Sequence, residues 1–287
     1  MNVPTAQAWR TAEKKHVLLF GMSGLGKTHV SNRLRASGQW FHYSVDYRIG
    51  TRYMGEHIVD NFKREAMRNP FLAELLRSDS IYIASNITFD NLAPLSTYLG
   101  KPGDPSKGGL GFAEYMRRQD QHRVAEVSAL LDTAHFIERS RDLYGYPNFV
   151  CDSGGSICEV VDPWDAADPV LTSLASHSLM VWIEDTPGHR EELIARFDRA
   201  PKPMYYEPGF LREHWAEYLE TEGLAETGVD PDAFIRWMYA RALAHRRPRY
   251  QAMAENWGIS VKAADVAKIA SASDFDNLIC RTLEARG

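Results

Sequence analysis

The chain has 287 residues, enough for one hydrophobic core with a large insertion, and 44% of them are hydrophobic and 25% charged, as in globular enzymes. Its net charge of -5 gives no overall basic field, so we expect neither nucleic acid nor membrane as a partner. Three cysteines are too few and too poorly spaced for a disulfide framework or a zinc site. The polar start, Met1 to Lys15, lacks a signal peptide and no apolar run could span a bilayer, which favours a cytoplasmic protein.

Short runs of branched and aromatic residues alternate with segments of helical periodicity, which predicts an α/β fold with a parallel sheet. The predicted strands, in chain order, are His16–Phe20, Phe41–Val45, Ser80–Ala84, Asn148–Asp152, Leu179–Glu184 and Ile259–Lys262. The predicted helices are Lys27–Arg35, Phe112–Arg139, Gly188–Phe197, Asp232–Arg246 and Ser273–Glu284. Residues 86–110 and 200–228 are polar or rich in Pro and Tyr, and they do not fit a compact α/β core.

The connection after the first strand carries a specific motif, Gly21-Met-Ser-Gly-Leu-Gly-Lys-Thr28, which matches G-x-x-x-x-G-K-[ST] in every fixed position. Glycines let backbone N–H groups turn inward around phosphates, and the following helix presents its positive end. Lys27 can reach the β- and γ-phosphate oxygens, and the Thr28 hydroxyl can ligate Mg²⁺. The sequence therefore predicts ATP and Mg²⁺ as cofactors. The candidate nucleotide-binding residues are Gly21, Ser23, Gly24, Leu25, Gly26, Lys27, Thr28 and His29.

Two other classes of P-loop protein have partial signals. Asp185-Thr-Pro-Gly188 spells the D-x-x-G switch of GTPases, but it lies far beyond the P-loop and no N-K-x-D guanine motif occurs. We therefore favour adenine, and interpret this segment as a strand end that opens the next helix. A motor-type ATPase would end an apolar strand in Asp-Glu, whereas this chain has Asp152-Ser153. Asp152 is a candidate Mg²⁺ ligand at a strand end.

The segment after the P-loop helix, Ser44-Val-Asp46-Tyr-Arg-Ile49 with Gly55 and Ile58, resembles D-x-D-x-x-I-E…G-x-x-I of the shikimate kinase family. That family belongs to the nucleoside-monophosphate-kinase-like group. The resemblance implies a P-loop three-layer α/β/α fold. It also implies that Asp46 orients the acceptor hydroxyl and accepts its proton during phosphoryl transfer.

Three more segments in the same order extend the resemblance. Gly154 and Gly155 follow a strand where the family has three glycines that contact the acceptor. The segment Arg196-Phe-Asp-Arg-Ala-Pro-Lys-Pro203 is similar to the family's link between an adenine-side arginine and the lid. It implies that Arg196 lies near the nucleotide and that Arg199 or Lys202 stabilises the transferring phosphoryl.

The third segment, Arg246-Arg-Pro-Arg-Tyr250, resembles the family's R-x-P-x-Y stretch. The arginine of that stretch binds the acid group of the acceptor, so the resemblance implies this role for Arg246. It also implies that the family's other substrate arginine corresponds to Arg117 or Arg118. The chain departs from the family in length. We predict a single P-loop kinase-like domain over 1–287, with a largely helical acceptor-binding insertion at 59–147 and an enlarged lid at 200–230.

Together these features favour an ATP-dependent small-molecule kinase. It would transfer the γ-phosphoryl group to a hydroxyl of an acceptor molecule that is bulkier than shikimate. A P-loop ATPase or nucleotide-dependent switch without an acceptor is the main alternative, and a nucleotide-binding regulatory protein is another. The sequence does not indicate the identity of the acceptor or the oligomeric state.

Overall fold

The computed structural model describes residues 3–286. In it the first strand lies at the centre of a parallel sheet of five strands. The strands are β1 (His16–Phe20), β2 (Trp40–Ser44), β3 (Asn148–Asp152), β4 (Leu179–Glu184) and β5 (Gly258–Lys262). Their spatial order is β2-β3-β1-β4-β5, and each neighbouring pair is parallel. The predicted α/β fold is confirmed. The predicted domain limits at residues 1 and 287 lie outside the described residues.

Helices connect the strands and make up the rest of the regular structure. In chain order they are α1 (Ala6–Thr11), α2 (Lys27–Ala36), α3 (Val45–Arg48), α4 (Gly55–Ala66), α5 (Pro70–Arg77), α6 (Ala93–Leu99), α7 (Phe112–Asp142), α8 (Pro169–His177), α9 (Pro187–Arg199), α10 (Pro208–Glu222), α11 (Pro231–Trp257), α12 (Ala263–Val266) and α13 (Ala272–Arg286). Short 3-10 turns and one π-helical turn, Ile49–Tyr53, complete them. Among residues 3–286, no helix is long and apolar enough to cross a membrane.

One predicted strand and the end of one predicted helix were wrong. Residues 80–84 form no strand, and Tyr82 is 88% exposed, because this apolar run has no strand beside it to pair with in the described part of the chain. The helix predicted to end at Arg246 continues through Pro248 to Trp257. Beyond the proline, Tyr250 and Met253 are buried. Their packing outweighs the backbone hydrogen bond that Pro248 removes.

Alternation along β2 shows how helices cover both faces of the sheet. Trp40 packs edge-on against Phe275 of α13, with ring centroids 6.1 Å apart. The next residue, Phe41, stacks on Phe136 of α7 at 6.5 Å. Because successive side chains of a strand point to opposite faces, α13 and α7 lie on opposite sides of the sheet. Between them, residues 17–20 of β1 are fully buried.

The chain forms two compact units. The first contains the sheet and comprises residues 3–45, 127–200 and 236–286 of the described chain, and the second comprises 46–126 and 201–235. Within the second unit, Trp215 stacks on Phe112 at 4.7 Å and meets Phe234 edge-on at 4.8 Å. Residues 86–110 and 200–228, which the sequence placed outside the core, contain α6 and α10. The roles predicted for 59–147 and 200–230 stay predictions.

We predict that Phe149→Ala destabilises the sheet unit by about 3–5 kcal/mol, because the buried ring contacts both Phe41 and Tyr43 and its removal leaves a cavity. Urea unfolding followed by tryptophan fluorescence measures this change. Phe71→Ala is the matched control, since Phe71 is 67% exposed, and we expect a change of less than about 0.5 kcal/mol. Equal effects of the two substitutions would contradict the assignment of Phe149 to the core.

Candidate functional site

Three glycines shape the loop between β1 and α2. Gly21, Gly24 and Gly26 have φ angles of +133°, +89° and +104°, which residues with a Cβ rarely adopt. Within residues 3–286, the N–H groups of residues 23–26 donate to no protein acceptor. Gly26 is the N-cap of α2 and has no side chain to occupy the helix end. The loop thus presents unpaired donors at a positive helix terminus, as an anion site requires.

The Lys27 side chain lies along this loop. It is 7% exposed, and its Nζ donates to the carbonyl oxygens of Gly21 at 2.8 Å and Met22 at 3.1 Å. These bonds hold the ammonium beside the loop's unpaired N–H groups, where it adds a full positive charge to the anion site.

Asp152 lies where β3 ends beside β1, in register with Leu19. Its Oδ2 accepts a hydrogen bond of 2.8 Å from the Thr28 hydroxyl. Burial raises the pKa of Asp152, although the charge of Lys27 and the bond from Thr28 oppose that shift. The site therefore contains a carboxylate whose negative charge the protein compensates incompletely.

The residues present fit Mg²⁺ and a nucleotide phosphate. Hydroxyl and carboxylate oxygens are the ligands that Mg²⁺ takes in phosphate sites, where it keeps several waters and binds few protein groups. A cation between Thr28 and Asp152 would relieve the burial of the carboxylate charge. The open N–H groups of residues 23–26 and the Lys27 ammonium suit phosphate oxygens.

Arg196 of α9 also borders the P-loop. A Cβ built on Gly24 would clash with the Arg196 guanidinium, so that group lies directly against the loop. A cavity of about 290 Å³ opens beside the loop, near the lower limit of ligand pockets. Its lining residues are Gly24, Leu25, Gly26, His29, His189, Ala263 and Ala267.

Gly155 lies against the P-loop at Ser23. A Cβ built on it would stand 2.9 Å from Ser23 Oγ, which is closer than real Cβ contacts. The carbonyl oxygen of Gly155 accepts hydrogen bonds from Arg246 Nη1 at 3.1 Å and from the Tyr250 hydroxyl. Gly154, the residue before it, is buried. Of the two glycines that the sequence selected, Gly155 therefore borders the P-loop.

Arg246 is buried in an ion pair. It is 2% exposed, and its Nε donates to Oε1 of Glu159 at 2.6 Å. His245 Nε2 lies 3.5 Å from the other oxygen of Glu159. Burial raises the pKa of Glu159, but the charge of Arg246 and hydrogen bonds from His245 and Arg246 lower it more, so the pKa is about 2. Part of the Arg246 donor set is already bound to the protein.

Sequence reasoning did not select Glu159 as a site residue. It follows the Gly154–Gly155 turn by only a few positions, but its partner Arg246 lies 87 residues further along the chain. Nothing local in the sequence links an isolated Glu to that arginine. Tyr250 was part of the R-x-P-x-Y pattern, and its bond to Gly155 appears only in the folded chain.

The remaining candidates occupy several positions. Arg199 is exposed at the end of α9. In the second unit, Asp46 is half-buried in α3, two residues after β2 ends, and Lys202 is exposed before α10. Their predicted roles stay predictions.

Arg117 and Arg118 of α7 both bind Glu114. The guanidinium of Arg117 makes two bonds of 2.7 Å to this carboxylate. Arg118 is 8% exposed and also donates to Asn61 and to the carbonyl of Tyr98. Arg117 is therefore the more accessible of the two predicted substrate arginines.

A scan against protein-family models and a search of curated proteins each found no match. Among solved structures, a shikimate kinase from Bacteroides thetaiotaomicron is similar to this chain, with a TM-score of 0.40 and 13% sequence identity. The match covers 95% of this chain and 98% of that chain.

We predict that the Glu159–Arg246 pair makes stability fall with acid. The folded pKa of Glu159 is about 2 against an ordinary 4.5, so its contribution is complete above pH 4.5 and is lost as pH falls toward 2. The loss is about 3 kcal/mol. Urea unfolding at several pH values measures it, and Glu159→Met with Arg246→Met should flatten the profile in this window. An unchanged profile in the double variant would contradict the assigned pKa.

Proposed function

We propose that this chain is a kinase that transfers the γ-phosphoryl group of ATP, bound with Mg²⁺, to a hydroxyl group of a small molecule. The observation that carries the proposal is the loop at residues 21–28, where open backbone N–H groups and Lys27 adjoin the Thr28–Asp152 hydrogen bond. Such a loop places phosphate donors, a cation and two oxygen ligands in one small volume, as phosphoryl transfer requires.

The cavity beside the P-loop supports a position for the nucleoside. It begins at Gly24–Gly26, where the phosphates would bind, and extends to Ala263 and Ala267, which follow β5. The small alanine side chains leave room for a flat base. Arg196 borders the loop nearby and could interact with the base or the phosphates. Adenine is proposed because the chain has no guanine-reading motif.

The proposed reaction is an in-line displacement. The acceptor oxygen forms a bond to the γ-phosphorus as the bond to the β,γ-bridging oxygen breaks, and ADP leaves. Asp46 accepts the proton of the acceptor hydroxyl. Lys27 and the N–H groups of residues 23–26 stabilise the charge on the phosphate oxygens. Bound Mg²⁺ would supply further charge neutralisation. Arg199 and Lys202 are the proposed lid cations.

An ATPase or a nucleotide-dependent switch would use the same P-loop without an acceptor. The two classes differ in product. A kinase with bound Mg²⁺ and ATP should release phosphate slowly and give a metabolite one phosphate heavier, whereas an ATPase should release phosphate rapidly whatever metabolite is added. Phosphate release and product mass spectrometry, with pooled hydroxylated metabolites, distinguish them.

We expect Lys27→Ala to lower the transfer rate by about 10²- to 10³-fold, because the loop loses the cation that faces the phosphates. Initial rates of ADP formation measure the effect, and circular dichroism checks the fold. Lys14→Ala, which removes an exposed lysine before β1, is the matched control and should keep the parental rate. Full activity in Lys27→Ala would exclude a P-loop mechanism.

We expect Asp46→Asn to lower kcat by about 10²- to 10⁴-fold with little change in ATP affinity, since the amide cannot accept the acceptor's proton. Steady-state kinetics with the identified acceptor and calorimetric titration with ATP separate the two effects. Asp60→Asn, at an exposed position of α4, is the control. If Asp46→Asn still phosphorylates the acceptor at the parental rate, Asp46 is not the base.

A further inference from the structure

We infer that Glu159 is a positioning residue, which acts through Arg246 to hold the Gly154–Gly155 turn against the P-loop. Arg246 is then a structural donor inside the protein and does not bind an acid group of the acceptor. The consequence for substrate class rests on the proposed function: the acceptor is a hydroxyl compound that needs no carboxylate at this position. The positioning role itself concerns only the sheet-containing unit.

Side chains of α11 fix the backbone that follows β3. Arg249 donates from Nε to the carbonyl of Cys158 at 2.6 Å and from Nη2 to that of Val161 at 2.7 Å. Further along, Asn256 and Trp257 both donate to the carbonyl of Pro163. Arg246 and Tyr250 of the same helix donate to the carbonyl of Gly155. Side chains of α11 therefore bind four carbonyl groups between residues 155 and 163. These bonds replace the regular structure that the segment largely lacks.

The first bonded carbonyl of this series belongs to the residue that meets the P-loop. Gly155 stands so close to Ser23 that an added Cβ would be 2.9 Å from its hydroxyl and 3.4 Å from its backbone nitrogen. A shift of Gly155 toward Ser23 would therefore push on a loop whose N–H groups are the proposed phosphate donors. Arg246 and Tyr250 hold the carbonyl of Gly155 in place.

Electrostatics explains why Glu159 is needed for this arrangement. Burying an arginine is costly unless an anion compensates its charge. Glu159 is 3% exposed, supplies the anion at 2.6 Å and fixes the plane of the guanidinium through Nε. The donors that Arg246 directs at Glu159 and at the carbonyl of Gly155 are not available to an acceptor carboxylate. We therefore assign the pair to the turn and not to an incoming acid.

The test uses the full chain without nucleotide and then with Mg²⁺ and ADP. Hydrogen exchange over residues 153–161 reports the turn, where Ser153 N–H is bonded to Leu19 and Glu159 N–H to Ser156. Calorimetric titration with ADP and Mg²⁺ reports the P-loop. The variants are Glu159→Gln, the double change Glu159→Met with Arg246→Met, and Tyr250→Phe. Asp276→Asn, which removes an ion pair with Lys15 before β1, is the control.

We expect exchange in 153–161 to rise about tenfold or more, and ADP affinity to fall about tenfold, in Glu159→Gln and in the double variant. The double variant removes both charges of the Glu159–Arg246 pair. Parental exchange and parental ADP affinity in that variant would show that the pair does not hold the turn, and would overturn the inference. Tyr250→Phe removes the second donor to Gly155 and should shift both readouts in the same direction by a smaller factor. The control should shift neither.

The two proposals fail in different ways. If the parental chain binds no ADP, the proposed function fails, while exchange over 153–161 still decides the role of Glu159. If the double variant binds ADP with the parental affinity and loses apparent affinity only for the acceptor, Arg246 is an acceptor ligand and the positioning role is wrong.

Discussion

The pairing of β1 with β3 on one side and β4 on the other determines which residues surround the P-loop. In a parallel sheet, all strands end at the same edge, so the segments after β3 and β4 flank the loop after β1. The register places Leu19 beside Asp152 and Phe20 beside Trp182. Asp152 therefore reaches Thr28, and the turn at Gly155 reaches Ser23, although these pairs are far apart in the sequence.

That arrangement requires the segment after β3 to keep one conformation without much regular structure. Its carbonyl groups would be costly to bury without donors, and α11 supplies them. The helix can do so because it continues past Pro248, which brings Arg249, Tyr250 and Asn256 alongside the segment. A helix that stopped at Arg246 would leave several of these carbonyls unpaired. Continuation of α11 and order at the P-loop are thus physically linked.

The distinction between local and long-range contacts explains how much of the structure could be predicted from the sequence. The P-loop was predictable because its requirements are local: glycines at positive φ, a lysine and a hydroxyl within one short motif. Hydrophobic patterning also identified β1 to β5, with each boundary within one residue of the observed one. The run of branched and aromatic residues at Ser80–Ala84 did not form the predicted strand, because a strand also needs a partner that no local pattern reveals. The Glu159–Arg246 pair could not be predicted, since it depends on a contact across 87 residues.

The structure also accounts for Asp185, the residue after β4 that begins the D-x-x-G sequence typical of GTPases. Asp185 is buried and accepts a bond of 2.8 Å from Arg247, which also contacts Glu184 at 3.3 Å. Thr186 caps α9, and His189 completes a capping box with it. The D-x-x-G residues are therefore used to end a strand and begin a helix. Asp152, by contrast, is bonded to Thr28 of the P-loop, and so the carboxylate beside the proposed phosphate site comes from β3 rather than β4.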